Sequence, residues 1–153
     1  MMPSLISKRV MVDRLALIDE MLVEIRALPL ADRVVFFSDR RNIWSAESCL
    51  RRSLEALLDM GRHILAKGFA IGVSEYKEIA TQLEQQGVLS KETAGLLRTL
   101  AGYRNRMVHF YHEITADELY DVCANQLGDI ERVQENYRQW LAAHPEKVKD
   151  ITS

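Results

Sequence analysis

Apolar residues recur at helical spacing along nearly the whole chain, and nowhere do they alternate as a half-buried strand requires. Val12, Leu15, Ile18, Leu22 and Ile25 mark a first helix from about Leu5 to Leu28, with Lys8, Arg9, Arg14, Asp19 and Glu24 between them and Pro29 ending it. Asp32 offers an N-cap for a long second helix reaching about Lys67, along which Phe36, Ile43, Leu50, Leu54, Leu57, Leu58, Ile64 and Leu65 recur. Ser38-Asp39 is its weak point, and Gly61 costs it some stability. Residues 68–73 read as a loop. A short third helix starts at Ser74 and runs to about Gln86, where Gly87 stops it. Ser90 caps a fourth segment carrying Leu96, Leu97 and Leu100. Thr115 and Glu118 have the spacing of a capping box and open a last helix that runs through Leu119, Val122, Leu127, Ile130, Val133, Tyr137 and Leu141 to about Ala143, before His144-Pro145. The pattern predicts an all-α fold, an antiparallel bundle of four long helices plus a short helix. A single domain is expected over 1–145, with a charged, frayed tail over 146–153.

Composition removes several function classes. A formal net charge of -2 over 153 residues argues against a general nucleic-acid coat protein. A local basic site from Arg40-Arg41, Arg51-Arg52, Arg98, Arg104 and Arg106 stays open, beside the plainer explanation that these residues solvate helix faces. No apolar run is long enough to span a bilayer, and Met1 to Arg9 lacks a signal peptide's apolar region, so a cytoplasmic protein with no membrane contact is expected. Cys49 and Cys123 sit within helical patterns without partners at metal spacing, and are expected to be two reduced, buried thiols.

The polar residues that carry chemistry gather in one stretch, Arg104-Asn105-Arg106-Met107-Val108-His109-Phe110-Tyr111. Histidine exchanges a proton near neutral pH. Arginine stays charged and offers a planar fork matched to phosphate oxygens. Together they suit phosphodiester chemistry without a metal. On a regular helix Arg104 and His109 point about 140° apart, whereas Asn105 and His109 share a face. Either the helix kinks or ends here, or substrate bridges the two groups, or a second protomer completes the site. Elsewhere, Asp59 and His63 read as a surface pair rather than a metal site, His112 either as an assistant to the site or as an exposed neighbour of Glu113, and Trp44 and Trp140 as core or interface aromatics. No phosphate-binding glycine loop or nucleotidyltransferase signature is present.

The order Arg-Asn-x-x-x-His-x-Tyr, met here by Arg104, Asn105, His109 and Tyr111, resembles the HepT branch of the HEPN superfamily, whose signature is Arg-x4–6-His. Glu47 to Leu50, Asp59 to Leu65, Tyr76-Lys77-Glu78 and Gly87-Val88-Leu89 are similar to that family's second and third helices, so that residues 8–142 are covered. The resemblance implies a HEPN-like fold and a metal-independent RNA endonuclease, the toxin of a type II/VII-like toxin–antitoxin pair. It implies that the RNA's own 2′-hydroxyl attacks phosphorus, with His109 moving the proton and Arg104 stabilising the phosphorane. Asn105 and Arg106 would support the phosphate. No cofactor and no metal is implied. The implied partners are an RNA substrate, a second copy of the chain in a homodimer whose cleft holds the site, and a cognate MNT-type nucleotidyltransferase antitoxin that AMPylates Tyr111. The alternative is a non-catalytic HEPN-type module that binds nucleotide or protein while partnering a nucleotidyltransferase.

Overall fold

The computed structural model describes residues 4–108 and 114–150, and these are almost entirely helical. The elements are α1 (Lys8–Arg26), α2 (Arg33–Phe37), α3 (Arg40–Phe69), α4 (Tyr76–Gln85), α5 (Lys91–Val108), α6 (Ala116–Asn125) and α7 (Leu127–Ala143), with a 3-10 turn at Pro145–Lys147 and a pair of two-residue strands, β1 (Ile6–Ser7) and β2 (Val148–Lys149).

The helix starts follow local signals. The Ser7 hydroxyl accepts the Val10 N–H at the head of α1, the Asp32 carboxylate accepts Val34 and Val35, and Asp39 accepts Arg41. The expected long second helix is therefore two. Asp39 caps afresh at the weak point, so the chain turns between α2 and α3. Gly87, at φ 75°, ends α4 in the left-handed region where glycine carries no Cβ penalty.

The thirty-residue α3 is the central element, packed by α1, α2, α4, α5, α6 and α7. Leu50, Leu54, Leu57, Leu58, Met60, Ile64 and Leu65 are fully buried along it. Gly61 explains its own place there: a Cβ on it would stand 2.8 Å from Ile79 Cγ2, Leu83 Cδ1 and the Tyr137 hydroxyl. Its bare backbone lets α4 and α7 close on α3. Tyr137 is fully buried, and its hydroxyl donates to the Leu57 carbonyl at 3.2 Å.

Two further differences from the expected bundle have non-local causes. The last helix breaks at Gln126, whose side chain accepts the Tyr103 hydroxyl of α5 at 3.0 Å and whose backbone leaves helical geometry. The segment expected to fray beyond Pro145 instead lays Val148 and Lys149 parallel to Ile6 and Ser7. Lys147 adds a 3.3 Å bond to the Gly68 carbonyl. Among the described residues no helix is long and apolar enough to cross a membrane.

Candidate active site

Arg104, Asn105 and Arg106 lie on the last described turn of α5. His109 and Tyr111 fall outside the described residues, as does His112. What surrounds the arginines is well defined.

The helix carrying them is fixed at both ends. At its start the Ser90 hydroxyl accepts the Thr93 N–H at 3.1 Å, as its spacing predicts. Leu97, Leu100 and Ala101 bury its inner face. Near its end, Tyr103 reaches Gln126, and the Arg106 guanidinium closes both of its terminal nitrogens on the Glu118 carboxylate. Only half of the predicted capping box forms as a result. The Glu118 N–H does donate to the Thr115 hydroxyl at 3.1 Å, but the Glu118 side chain is drawn to Arg106. Arg106, expected beside Asn105 on a phosphate, thus ties α5 to α6.

Arg104 faces the other way, toward α3 and α4. Its guanidinium carbon lies 4.4 Å from the centroid of the Tyr76 ring, and that of Arg62 lies 4.9 Å from the same centroid. Arg62 is fully engaged elsewhere. It donates to Asp59 at 3.1 Å, to the Val73 carbonyl at 3.1 Å and to the Ser74 carbonyl at 3.3 Å. It therefore clasps the α3–α4 connection to α3 and holds Tyr76 in register.

Arg104 itself is lightly engaged. Its Nε is 3.5 Å from Glu55 Oε1, near enough for Coulomb attraction but without hydrogen-bond geometry, so this buried nitrogen has no hydrogen-bond partner among the described residues. Glu55 is shared with Arg51, also at 3.5 Å. One terminal nitrogen of Arg104 meets Asn105 Oδ1 at 3.5 Å, the long limit of a hydrogen bond. Ring contact holds the group in place, and among the described residues its two terminal nitrogens make only that one long bond, which leaves donors for a ligand. A cleft of about 470 Å³ opens there, bounded by Arg104 and Asn105 of α5, Tyr76 and Lys77 of α4, Arg62 of α3, and Glu75. The Arg104 side chain is 23% exposed.

The structure thus brings Arg104 and Asn105 to one cleft and turns Arg106 out of it. The contributions of Tyr76, Arg62, Lys77 and Glu55 carry no local sequence signal, because each depends on how α3 and α4 pack beside α5. Three other arginines of the expected basic site are paired with acids, Arg51 through the Glu55 that it shares with Arg104. Arg41 pairs with Asp39, Arg51 with Glu47 and Glu55, and Arg98 with Glu84. His63 does not pair with Asp59. Its Nε2 accepts the Ser7 N–H at 3.0 Å, while Asp59 bonds Arg62. Burial first, and then Lys67, Lys149 and Arg14, hold the His63 pKa below its ordinary value. Burial pushes the Cys123 thiol up to about 12, which leaves it a poor nucleophile, while Cys49 is only partly buried. Trp140 joins the core beside Phe69, whereas Trp44 is 64% exposed.

Similarity to known proteins follows the same helices. The profile of the family described as Ribonuclease HepT-like matches residues 18–136. No curated protein matches the sequence. Among solved structures, a tri-AMPylated HEPN toxin of Shewanella oneidensis in complex with MNT antitoxin superposes with a TM-score of 0.77 at 23% identity, over 85% of this chain and 97% of that one. A mutant of the MntA–HpeT toxin–antitoxin gives 0.76 at 23% identity, over 86% and 99%. The cytosolic protein of unknown function YutE from Bacillus subtilis gives 0.72 at 16% identity, over 91% and 93%. At such identities these three likenesses show the fold and no more.

Proposed function

Because this chain belongs to the HepT-like ribonuclease family, we propose that it is the toxin of a toxin–antitoxin pair, an endoribonuclease that cuts RNA without a metal. The observation that carries this proposal is Arg104: a part-exposed arginine, held in a cleft, that makes one long hydrogen bond among the described residues. A structural arginine of the same helix looks different, as the doubly bonded Arg106 shows.

In the proposed reaction the RNA 2′-hydroxyl attacks the adjacent phosphorus and the 5′-oxygen of the next nucleotide leaves. His109 carries the proton, taken from the nucleophile or delivered to the leaving oxygen. Arg104 donates to the oxygens of the phosphorane, where negative charge builds up. Asn105, beside it on the cleft wall, orients the phosphate. The chain acts as a homodimer in which the partner's matching arginine and histidine face the same cleft. DNA is bound without being cut, since it lacks the internal nucleophile.

Control falls to an MNT-type nucleotidyltransferase antitoxin, the class of partner seen with the Shewanella oneidensis toxin. The Tyr111 hydroxyl attacks the α-phosphorus of ATP, pyrophosphate leaves, and the tyrosyl proton is released. The AMP left on Tyr111 brings bulk and negative charge to the Arg104 neighbourhood and competes with RNA for it. Incubation with ATP and the partner is expected to add one or more AMP masses to the chain and none to a Tyr111→Phe variant. Undiminished labelling of that variant rejects the site. For catalysis, Arg104→Ala and His109→Ala proteins of unchanged helix content are expected to leave RNA intact in chelator. Cleavage by pure His109→Ala protein at the wild-type rate rejects His109 as the proton carrier.

A further inference from the structure

The cleft beside Arg104 holds a second cation that neither the motif nor the family match assigns. Lys77, on the first turn of α4, is exposed and lines the cleft with Arg104 and Asn105. Its stem lies over α5 where Gly102 leaves the helix surface bare: a Cβ built on Gly102 would meet Lys77 Cε at 3.7 Å and Nζ at 3.9 Å. Those are ordinary contact distances, so the lysine rests on the helix that carries Arg104, and it lines the cleft with Asn105. No ion pair within 4 Å involves Lys77 among the described residues, in contrast to Arg62, Arg98 and Arg106. Arg62 is spent on Asp59 and on two carbonyls, and serves the cleft only by holding Tyr76. Of the cleft's three cationic side chains among the described residues, Arg62 has all three nitrogens engaged and the other two do not. One is a fork that matches phosphate oxygens, and the other is a mobile point charge.

We infer that Lys77 and Arg104 together form a two-cation seat for the RNA backbone, with Arg104 at the reacting phosphate and Lys77 binding the phosphodiester next to it. Among the described residues Glu75 is the one acid that lines the cleft, and it stands on the α4 side with Lys77. Its charge opposes an anion there, which leaves the seat dependent on both cations. The inference rests on the ribonuclease proposal for its choice of RNA as the anion. Lys77 touches substrate but takes no part in proton transfer, so its removal acts on binding rather than on the chemical step.

The test separates binding from cleavage. An all-deoxy oligonucleotide, which cannot be cut by this route, is titrated with the full chain at several salt concentrations, and an RNA of the same sequence is assayed for cleavage. Wild type is compared with Lys77→Gln, Lys77→Arg and Lys91→Gln, the last removing the same charge at the far end of α5. Lys77→Gln is expected to weaken binding about fivefold at low salt. It should flatten the log–log salt slope by about 0.7, the share of one phosphate contact on a single strand. The KM for RNA should rise with kcat unchanged. Lys77→Arg should restore affinity, and Lys91→Gln should leave the slope alone. If wild type cuts RNA and Lys77→Gln matches it in affinity and slope, the seat is overturned while the ribonuclease proposal stands. If wild type binds without cutting and Lys77→Gln binds more weakly, the seat stands and the ribonuclease proposal falls. Equal losses in Lys77→Gln and Lys91→Gln would reduce the effect to net charge and overturn the seat. A wild type that neither binds nor cuts overturns both.

Discussion

Arg104 and Arg106 are two residues apart on one helix, and their partners separate their roles. Arg106 spends its fork on Glu118; Arg104 keeps its own open over Tyr76. Lysine retains the charge of Arg104 but neither its planar fork nor its ring contact. Arg104→Lys is therefore expected to lower kcat about 10²- to 10³-fold, the usual cost of losing a donor aimed at developing charge. Single-turnover cleavage measures it, and a near-normal rate contradicts the role. Tyr76→Phe keeps the ring and should stay close to wild type, whereas Tyr76→Leu lets the guanidinium drift and should cost kcat roughly 10- to 100-fold with little change in KM. Equal activity of the two variants removes Tyr76 as a positioning residue. His63 gives a pH test away from the site. Its folded pKa lies below its unfolded value, so the unfolded chain binds more protons; this share of stability is full above about pH 6.5 and is lost as pH falls from there toward the folded value. Thermal melts between pH 5 and 8 should show a shallower pH dependence for His63→Gln, whose amide oxygen can still accept the Ser7 N–H. Parallel curves reject this linkage. Arg104 and Asn105 of the cleft were legible because they lie in one polar stretch of sequence, whose His109 and Tyr111 fall outside the described residues. Tyr76 and Arg62 were not, since nothing local in 62 or 76 announces a ring shared across three helices.

At the level of helices, signals confined to one turn transferred well. Ser90 and Thr115 cap where their spacing says they should, and Gly87 stops α4. The breaks at Ser38-Asp39 and Gln126 were harder to see, because helical periodicity continues across both while the interruption comes from a new cap or from a bond to Tyr103. Glycine at 61 looked like a weakness and is a packing requirement. Gly61→Ala should gain roughly 1 kcal/mol of helix propensity. It should lose more, a net of about 1–2 kcal/mol, by pushing on Ile79, Leu83 and Tyr137 in a core with no slack. Urea melts would show the loss; a stabilised variant contradicts the packing described. Ala70 is the opposite case. It ends α3 at φ 56°, a left-handed conformation that strains an L residue, so Ala70→Gly should stabilise by up to about 1 kcal/mol. An unchanged or lower midpoint would count against strain at this cap.

Across the whole molecule, the two ends of the described chain close on each other. β1 and β2 pair in parallel, the Ser4 N–H reaches the Lys67 carbonyl at 2.8 Å, and Lys147 sits 4.6 Å from the centroid of Phe69. A chain cut after Lys147 should lose about 1–2 kcal/mol through the missing strand pair, seen as a lower melting temperature. No change would mean the pairing adds nothing. Local charge and period could not have revealed this closure, which links residues at opposite ends of the sequence. The domain so closed holds the end of α5 between α3, α4 and α6, and presents one lightly engaged arginine to solvent. In the proposed reaction this arginine and His109 direct the RNA's own 2′-hydroxyl at phosphorus with no metal involved. The most direct test is to identify the ends of a defined RNA cut by the purified protein in excess chelator. The expected products carry 2′,3′-cyclic phosphate and 5′-hydroxyl ends; 3′-hydroxyl with 5′-phosphate ends, or no cleavage until a divalent ion is added back, would contradict the proposed reaction.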